Sequence, residues 1–179
     1  RNDVPRLRLY CSEHVHNSID KGALTLGIGL EGIRKIPVNE KFEMIPQKLS
    51  EAVIEDKQNG WLPFIVIATV GTTSTTSIDP VEEIADIAEK YKMWLHIDSA
   101  YAGVTAMIPE MKWITKGWSR ADSLVINPHK WMFTPMDLSI YFTRKPDILK
   151  RAFSLSAEYL KTNVDDEVEN LMDYGIQLG

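Results

Sequence analysis

The chain has 179 residues, 44% of them apolar, 25% charged and 9% aromatic, with 10 Gly and 9 Pro, which excludes a collagen-like, low-complexity or disordered chain. At roughly 150 residues per domain it is one domain's worth of chain, long enough to bury about two-thirds of its unfolded surface. Its 20 Lys+Arg stand against 25 Asp+Glu, a formal charge of −5, and a mildly acidic chain without a clustered basic face is not expected to bind nucleic acid, whose phosphates must be neutralised.

In chain order, Leu7 to Cys11 reads as a strand and Asn17 to Leu26 as a helix. Ile33 to Val38 reads as a second strand, closed near Pro37. Over Pro46 to Asn59 the spacing predicts a helix: Pro46 suits the first turn, Leu49, Ala52 and Val53 share a face, and Gly60 suits the stop. Pro63 to Val70 is a β-branched apolar run of the kind buried on both faces of a sheet. A helix start follows, with Asp79 as N-cap, Pro80 as first residue and Glu82 placed to bond back. Ile84, Ile87, Ala88 and Tyr91 continue it at helical spacing. Trp94 to Ile97, Ser123 to Ile126 and Leu138 to Thr143 read as strands, and Pro146 to Leu160 as a helix. Strands alternating with helices predict a three-layer α/β fold around a mostly parallel sheet.

A single cysteine, Cys11, makes no internal disulfide, so a reducing, cytoplasmic setting is expected. The longest apolar run, Phe64 to Val70, is too short to span a membrane, and the first residues lack an apolar signal-peptide core. The basic pairs Arg144-Lys145 and Lys150-Arg151 suit solvated surfaces. The chain starts at Arg1 rather than Met, which suggests a piece of a longer protein.

In parallel α/β sheets the site lies beyond the carboxyl ends of the strands. That directs attention to Gly71-Thr72-Thr73, Asp98-Ser99-Ala100-Tyr101 and Asn127-Pro128-His129-Lys130. Gly27 to Gly32 fits the pattern G-x-G-x-x-G, but a helix precedes it and a strand follows, the reverse of a dinucleotide site. A helix stop and turn is the better reading. His14 and His16 near Cys11 lack the paired spacing of a structural zinc site, and no metal is expected.

Asp98 arrives at the end of an apolar strand and must be solvated, paired or supplied with donors. It either caps a turn or faces a buried cationic nitrogen. Lys130 stands between apolar runs, where an unpaired ammonium loses its proton more readily and becomes a nucleophile for carbonyls. The bland alternative is a lysine snorkelling to water. Asn127 and His129 beside it can both donate to phosphate oxygens.

Together these segments resemble the group II pyridoxal-phosphate-dependent decarboxylases, the aromatic-L-amino-acid decarboxylase family. His96-Ile97-Asp98-Ser99-Ala100-Tyr101-Ala102-Gly103 is similar to the family's H-[VI]-D-A-A-Y-A-G, and Asn127-Pro128-His129-Lys130-Trp131 to its cofactor-lysine motif. Val70 to Ser74 resembles L-G-T-T-S, and His16-Asn17-Ser18 resembles H-S-S. Ser99 departs from the more frequent Ala, and Thr134-Pro135-Met136-Asp137 from V-N-F-D, which bears on substrate preference.

The resemblance implies the large domain of a fold type I enzyme carrying pyridoxal 5′-phosphate. By it, Lys130 is the Schiff-base lysine, Asp98 holds the pyridine nitrogen protonated, and His16 stacks on the ring. Ala100 packs on the other ring face, while Thr73, Asn127 and His129 contact the cofactor, the last two near its phosphate. It implies decarboxylation of an L-amino acid, aromatic in kind, by a homodimer. An aldehyde synthase of the same family, or a relative acting on glutamate, cysteine sulfinate or histidine, is the neighbouring possibility. A cofactor-free α/β interaction module is the reading of another class. Family members are much longer, so residues 1–179 are expected to be most of the large domain. The phosphate loop would lie upstream, with the mobile catalytic loop and small domain downstream.

Overall fold

Leu62–Thr69 forms an inner strand of a six-stranded sheet. A computed structural model describes residues 4–154 and 171–176. The strands are β1 (Leu7–Ser12), β2 (Ile33–Ile36), β3 (Leu62–Thr69), β4 (Trp94–Asp98), β5 (Ser123–Ile126) and β6 (Ile140–Thr143). They lie in the order β2-β1-β3-β4-β5-β6, and the β1–β2, β1–β3, β3–β4 and β4–β5 pairs are parallel. The crossovers that parallel pairing requires are α1 (Ser18–Thr25), α2 (Pro46–Gln58) and α3 (Val81–Tyr91). Between β4 and β5 the crossover consists of three 3₁₀ segments, Ala102–Met107, Pro109–Thr115 and Trp118–Arg120.

One sheet face carries Tyr10, Val66, Ala68, Val70, Leu95 and Ile97. Leu49, Ala52 and Val53 of α2 and Ile84, Ala85 and Ala88 of α3 bury against it, which makes this the main core. The opposite face is thinner: Leu9, Cys11 and Ile67 are buried there beneath Val15 and Ile19. Helices on both faces give the expected α/β layering, with a mostly parallel sheet between them. Cys11 is fully buried, and burial pushes its thiol up to about 12. Among the described residues no helix is long and apolar enough to cross a membrane.

Residues Arg1–Phe142 form one compact unit and Thr143–Gly179 a second. Within the second, α5 (Pro146–Phe153) and a 3₁₀ turn (Leu171–Tyr174) are described, and Lys150 Nζ lies 5.1 Å from the Tyr174 ring centroid. The predicted continuation of α5 to Leu160 lies outside the described residues.

Three local readings are corrected. Asp79 is not the N-cap of α3: Pro80 holds that position without a side-chain cap, and the Asp79 carboxylate turns inward to accept the N–H groups of Met44 and Thr69, each at 2.7 Å. Glu82 does not reach back either, but pairs with Lys116 Nζ at 2.8 Å. The carboxylate satisfies two buried backbone donors, which would otherwise be left without acceptors, in place of the helix end. The second strand stops at Ile36, because Pro37 offers no N–H to extend the ladder. The last strand begins at Ile140 rather than Leu138. Gly27 and Gly29 have φ of 73° and 80°, and the N–H groups of Ile28 and Gly29 close back on the Ala23 carbonyl, a helix stop and turn as read.

Candidate active site

The carboxyl ends of β1, β3, β4 and β5 open on one cavity of about 400 Å³. It lies over the thinner sheet face, where Thr69, Asp98 and Val125 form one register row across β3, β4 and β5. Every site residue singled out in the sequence lines it: His16, Thr73, Asp98, Ala100, Asn127, His129 and Lys130. The row explains why: alternation puts every second residue of a buried strand on one face, and the strand ends supply the polar ones.

Asp98 is half-buried at the end of β4, and its Oδ1 accepts the Ala100 N–H at 3.2 Å. Asp98 thus caps the turn after β4, and it also lines the cavity. Lys130 lies on a single helical turn, α4 (Pro128–Trp131), directly after β5. Its apolar neighbours do not enclose it, contrary to expectation; Lys130 is exposed, as is Trp131 behind it, whose Nε1–H instead donates to the Tyr101 carbonyl. Lys130 lines the cavity, and among the described residues its Nζ makes no hydrogen bond or ion pair.

Asn127 is oriented by Ser139, whose Oγ donates to Oδ1 at 2.7 Å and leaves the amide N–H groups as donors. His16 is exposed after β1; its Nδ1 accepts the Ser18 N–H at 3.2 Å, and Ser18 Oγ lies 2.9 Å away. The neutral ring then carries its proton on Nε2. Thr73 sits in a loop fastened by three hydroxyls: Thr72 Oγ1 is 2.7 Å from Thr75 Oγ1 and 2.8 Å from Ser77 Oγ.

Sequence reasoning missed Thr69, His96 and Ser139, which also line the cavity. Thr69 and His96 were legible in principle, as polar residues on alternate positions of otherwise apolar strands. Ser139 carried no such signal, because only the return of the chain after α4 brings it to Asn127. Among the described residues, no cluster of three or more His, Cys, Asp or Glu is arranged to hold a metal ion.

Residues 3–179 match the pyridoxal-dependent decarboxylase conserved domain. The chain belongs to the pyridoxal-dependent decarboxylase family. It is 36% identical over 175 residues to tyrosine decarboxylase 4 of Petroselinum crispum, covering 97% of this chain and 34% of that protein. It is also 36% identical over 176 residues to phenylacetaldehyde synthase of Petunia hybrida, with 97% and 34% coverage. The crystal structure of Oryza sativa TDC with PLP and tryptamine superposes with a TM-score of 0.89 at 35% identity, over 94% of this chain and 35% of that one. The chain thus spans about a third of the length of the relatives it matches.

The residues of this chain fit the family's cofactor on structural grounds. The cavity holds a carboxylate and an uncommitted amine on neighbouring strand ends. Two polar atoms of its lining residues, Thr69 Oγ1 and His129 Nδ1, are buried without a partner among the described residues. Buried orphans of this kind call for a polar ligand or water.

Proposed function

We propose that the full-length protein removes the α-carboxylate of an aromatic L-amino acid of the tyrosine, DOPA or tryptophan class, releasing the amine and CO₂. Lys130 binds pyridoxal 5′-phosphate covalently through Nζ. The observation that supports this reading most strongly is the meeting of Asp98 and Lys130 in one cavity with Asn127 and His129. When bound, the cofactor supplies an electron sink for the pair released as the carboxylate leaves.

The chain's own residues divide the remaining work. Asp98 holds a proton at the cofactor's ring nitrogen by a charge-assisted bond. Ala100 presents a methyl group rather than a larger side chain to the ring. His16, its Nδ1 engaged by Ser18, offers Nε2–H toward the cavity. Asn127 and His129 donate to phosphate oxygens, and Thr73 donates from its fastened loop. The active assembly is a homodimer in the cytoplasm, and the exposed apolar run Trp131, Met132, Phe133, Met136 and Leu138 is surface that further chain or a partner would cover.

A second reading, an aromatic aldehyde synthase, is favoured by the 36% identity to phenylacetaldehyde synthase. The two separate in one assay. Purified full-length protein given L-tyrosine, L-DOPA or L-tryptophan should release amine and CO₂ without taking up oxygen. Oxygen uptake with aldehyde, ammonia and hydrogen peroxide would establish the second reading. Absence of CO₂ from every amino acid tried, with cofactor bound, would overturn both.

A further inference from the structure

His96, one of the residues lining the cavity, belongs to a hydrogen-bonded cluster to which the proposed chemistry assigns no part. Ile67, His96 and Ser123 are register partners across β3, β4 and β5. They therefore share the sheet face of Asp98, which lies two residues further along β4. Ser123 is buried, and its Oγ lies 2.8 Å from both Trp94 Nε1 and His96 Nδ1.

An indole nitrogen only donates, so Ser123 Oγ accepts from Trp94. The hydroxyl's single proton is then left for His96 Nδ1. The reverse arrangement, with Nδ1–H donating, would give Oγ two incoming protons and leave its own O–H buried without an acceptor among the described residues. Leaving a buried hydroxyl proton without an acceptor is unfavourable. His96 therefore accepts at Nδ1 and carries its proton on Nε2, and forming the imidazolium would require Ser123 to turn its hydroxyl away.

Burial of the ring acts in the same direction. The Tyr141 ring stacks on His96 with centroids 6.3 Å apart and planes 20° apart. Burial pushes the imidazole pKa down, and the Asp98 carboxylate opposes this less strongly. The other titratable residues lining the shared cavity are His16 after β1, Tyr101 after β4, and His129 and Lys130 on α4.

We propose that Ser123, oriented by Trp94, is a positioning residue that holds His96 as the neutral Nε2–H tautomer, so that Asp98 keeps its full charge for the cofactor's ring nitrogen. A cationic His96 on the same face would draw on that carboxylate and weaken its hold on the ring proton. This rests on the role given to Asp98 under the proposed function.

Neutron diffraction from perdeuterated crystals of the full-length holoenzyme at neutral pH tests it directly. The expected map has a deuteron on His96 Nε2 and none on Nδ1, and a deuteron on Nδ1 overturns the inference. In solution, Ser123→Ala should lower kcat/KM at pH 6 relative to pH 8 by about tenfold compared with wild type, the equivalent of one lost hydrogen bond. Ser123→Thr, which keeps the hydroxyl, should restore the wild-type profile. An unchanged profile in folded Ser123→Ala also overturns the inference, and if that variant does not fold the deuteron map decides alone. The same map separates the two readings: cofactor not joined to Lys130 would contradict the proposed function, whereas the His96 tautomer is read independently.

Discussion

Thr69 and Asp79 are tied by a reciprocal pair of hydrogen bonds: the Thr69 N–H donates to Asp79 Oδ2 at 2.7 Å, and the Asp79 N–H returns to the Thr69 carbonyl at 2.9 Å. The tie closes the loop that carries Thr73, beside the register row of Asp98. Burial raises the Asp79 carboxyl from 3.8 to about 6, against the lowering effect of its bonds from Thr69 and Met44. The folded state therefore holds this proton more tightly than the unfolded one. Its stabilising contribution is complete below about 3.8 and is lost as the pH rises through about 6. Asp79→Asn cannot titrate, and its NH₂ must face one of the two donors, so it should be the less stable protein. The stability gap between wild type and Asp79→Asn should narrow by about 2 kcal/mol between roughly pH 4 and pH 7. Urea unfolding of both full-length proteins measures it, and a gap that widens over this range would contradict the assignment.

Gly71 holds the other end of that loop. Its φ is +86°, and an added Cβ would lie 2.4 Å from Ala102 Cβ. Strain and overlap together should make Gly71→Ala destabilising by about 2–4 kcal/mol. Because Thr73 moves with the loop, cofactor affinity should fall at least about tenfold, a loss equivalent to one hydrogen bond. Thermal midpoints and cofactor titration of the full-length variant check the two effects. A variant with wild-type values for both would show that the loop is not fixed here.

Asp98→Asn should retain cofactor and lose turnover. An amide cannot hold a proton on the ring nitrogen as a carboxylate does, and breaking a charged pair of this kind is worth several kcal/mol, a rate loss of about a hundredfold or more. Cofactor absorbance measured alongside steady-state rates distinguishes this from a binding defect. Near-normal decarboxylation by the variant would remove Asp98 from the chemistry.

The strands and helices were legible where side-chain periodicity was complete. β3 announces itself by its unbroken β-branched apolar run, and α2 by Pro46 at its start and Gly60 after its end. The candidate site was legible for the same reason, since strand ends mark its position and Asp98, Asn127, His129 and Lys130 stand on them. Asp79 was misread because a capping pattern is local, while the donors that capture its carboxylate come from Met44 and Thr69, 35 and 10 residues away. The 3₁₀ crossover between β4 and β5 has no 3.6-residue periodicity to detect. Arg8, buried inside β1 against Asp56 at 3.1 Å, is likewise visible only once α2 is folded onto the sheet.

The most direct test of the account concerns Lys130. Full-length protein reduced with borohydride should carry the cofactor on a single lysine, and peptide mass spectrometry should place it at Lys130. Lys130→Ala should fold, as judged by its thermal midpoint, and yield no reduced adduct. An adduct on Lys112 or Lys116, or one that survives in Lys130→Ala, would contradict the assignment of this cavity as the cofactor site.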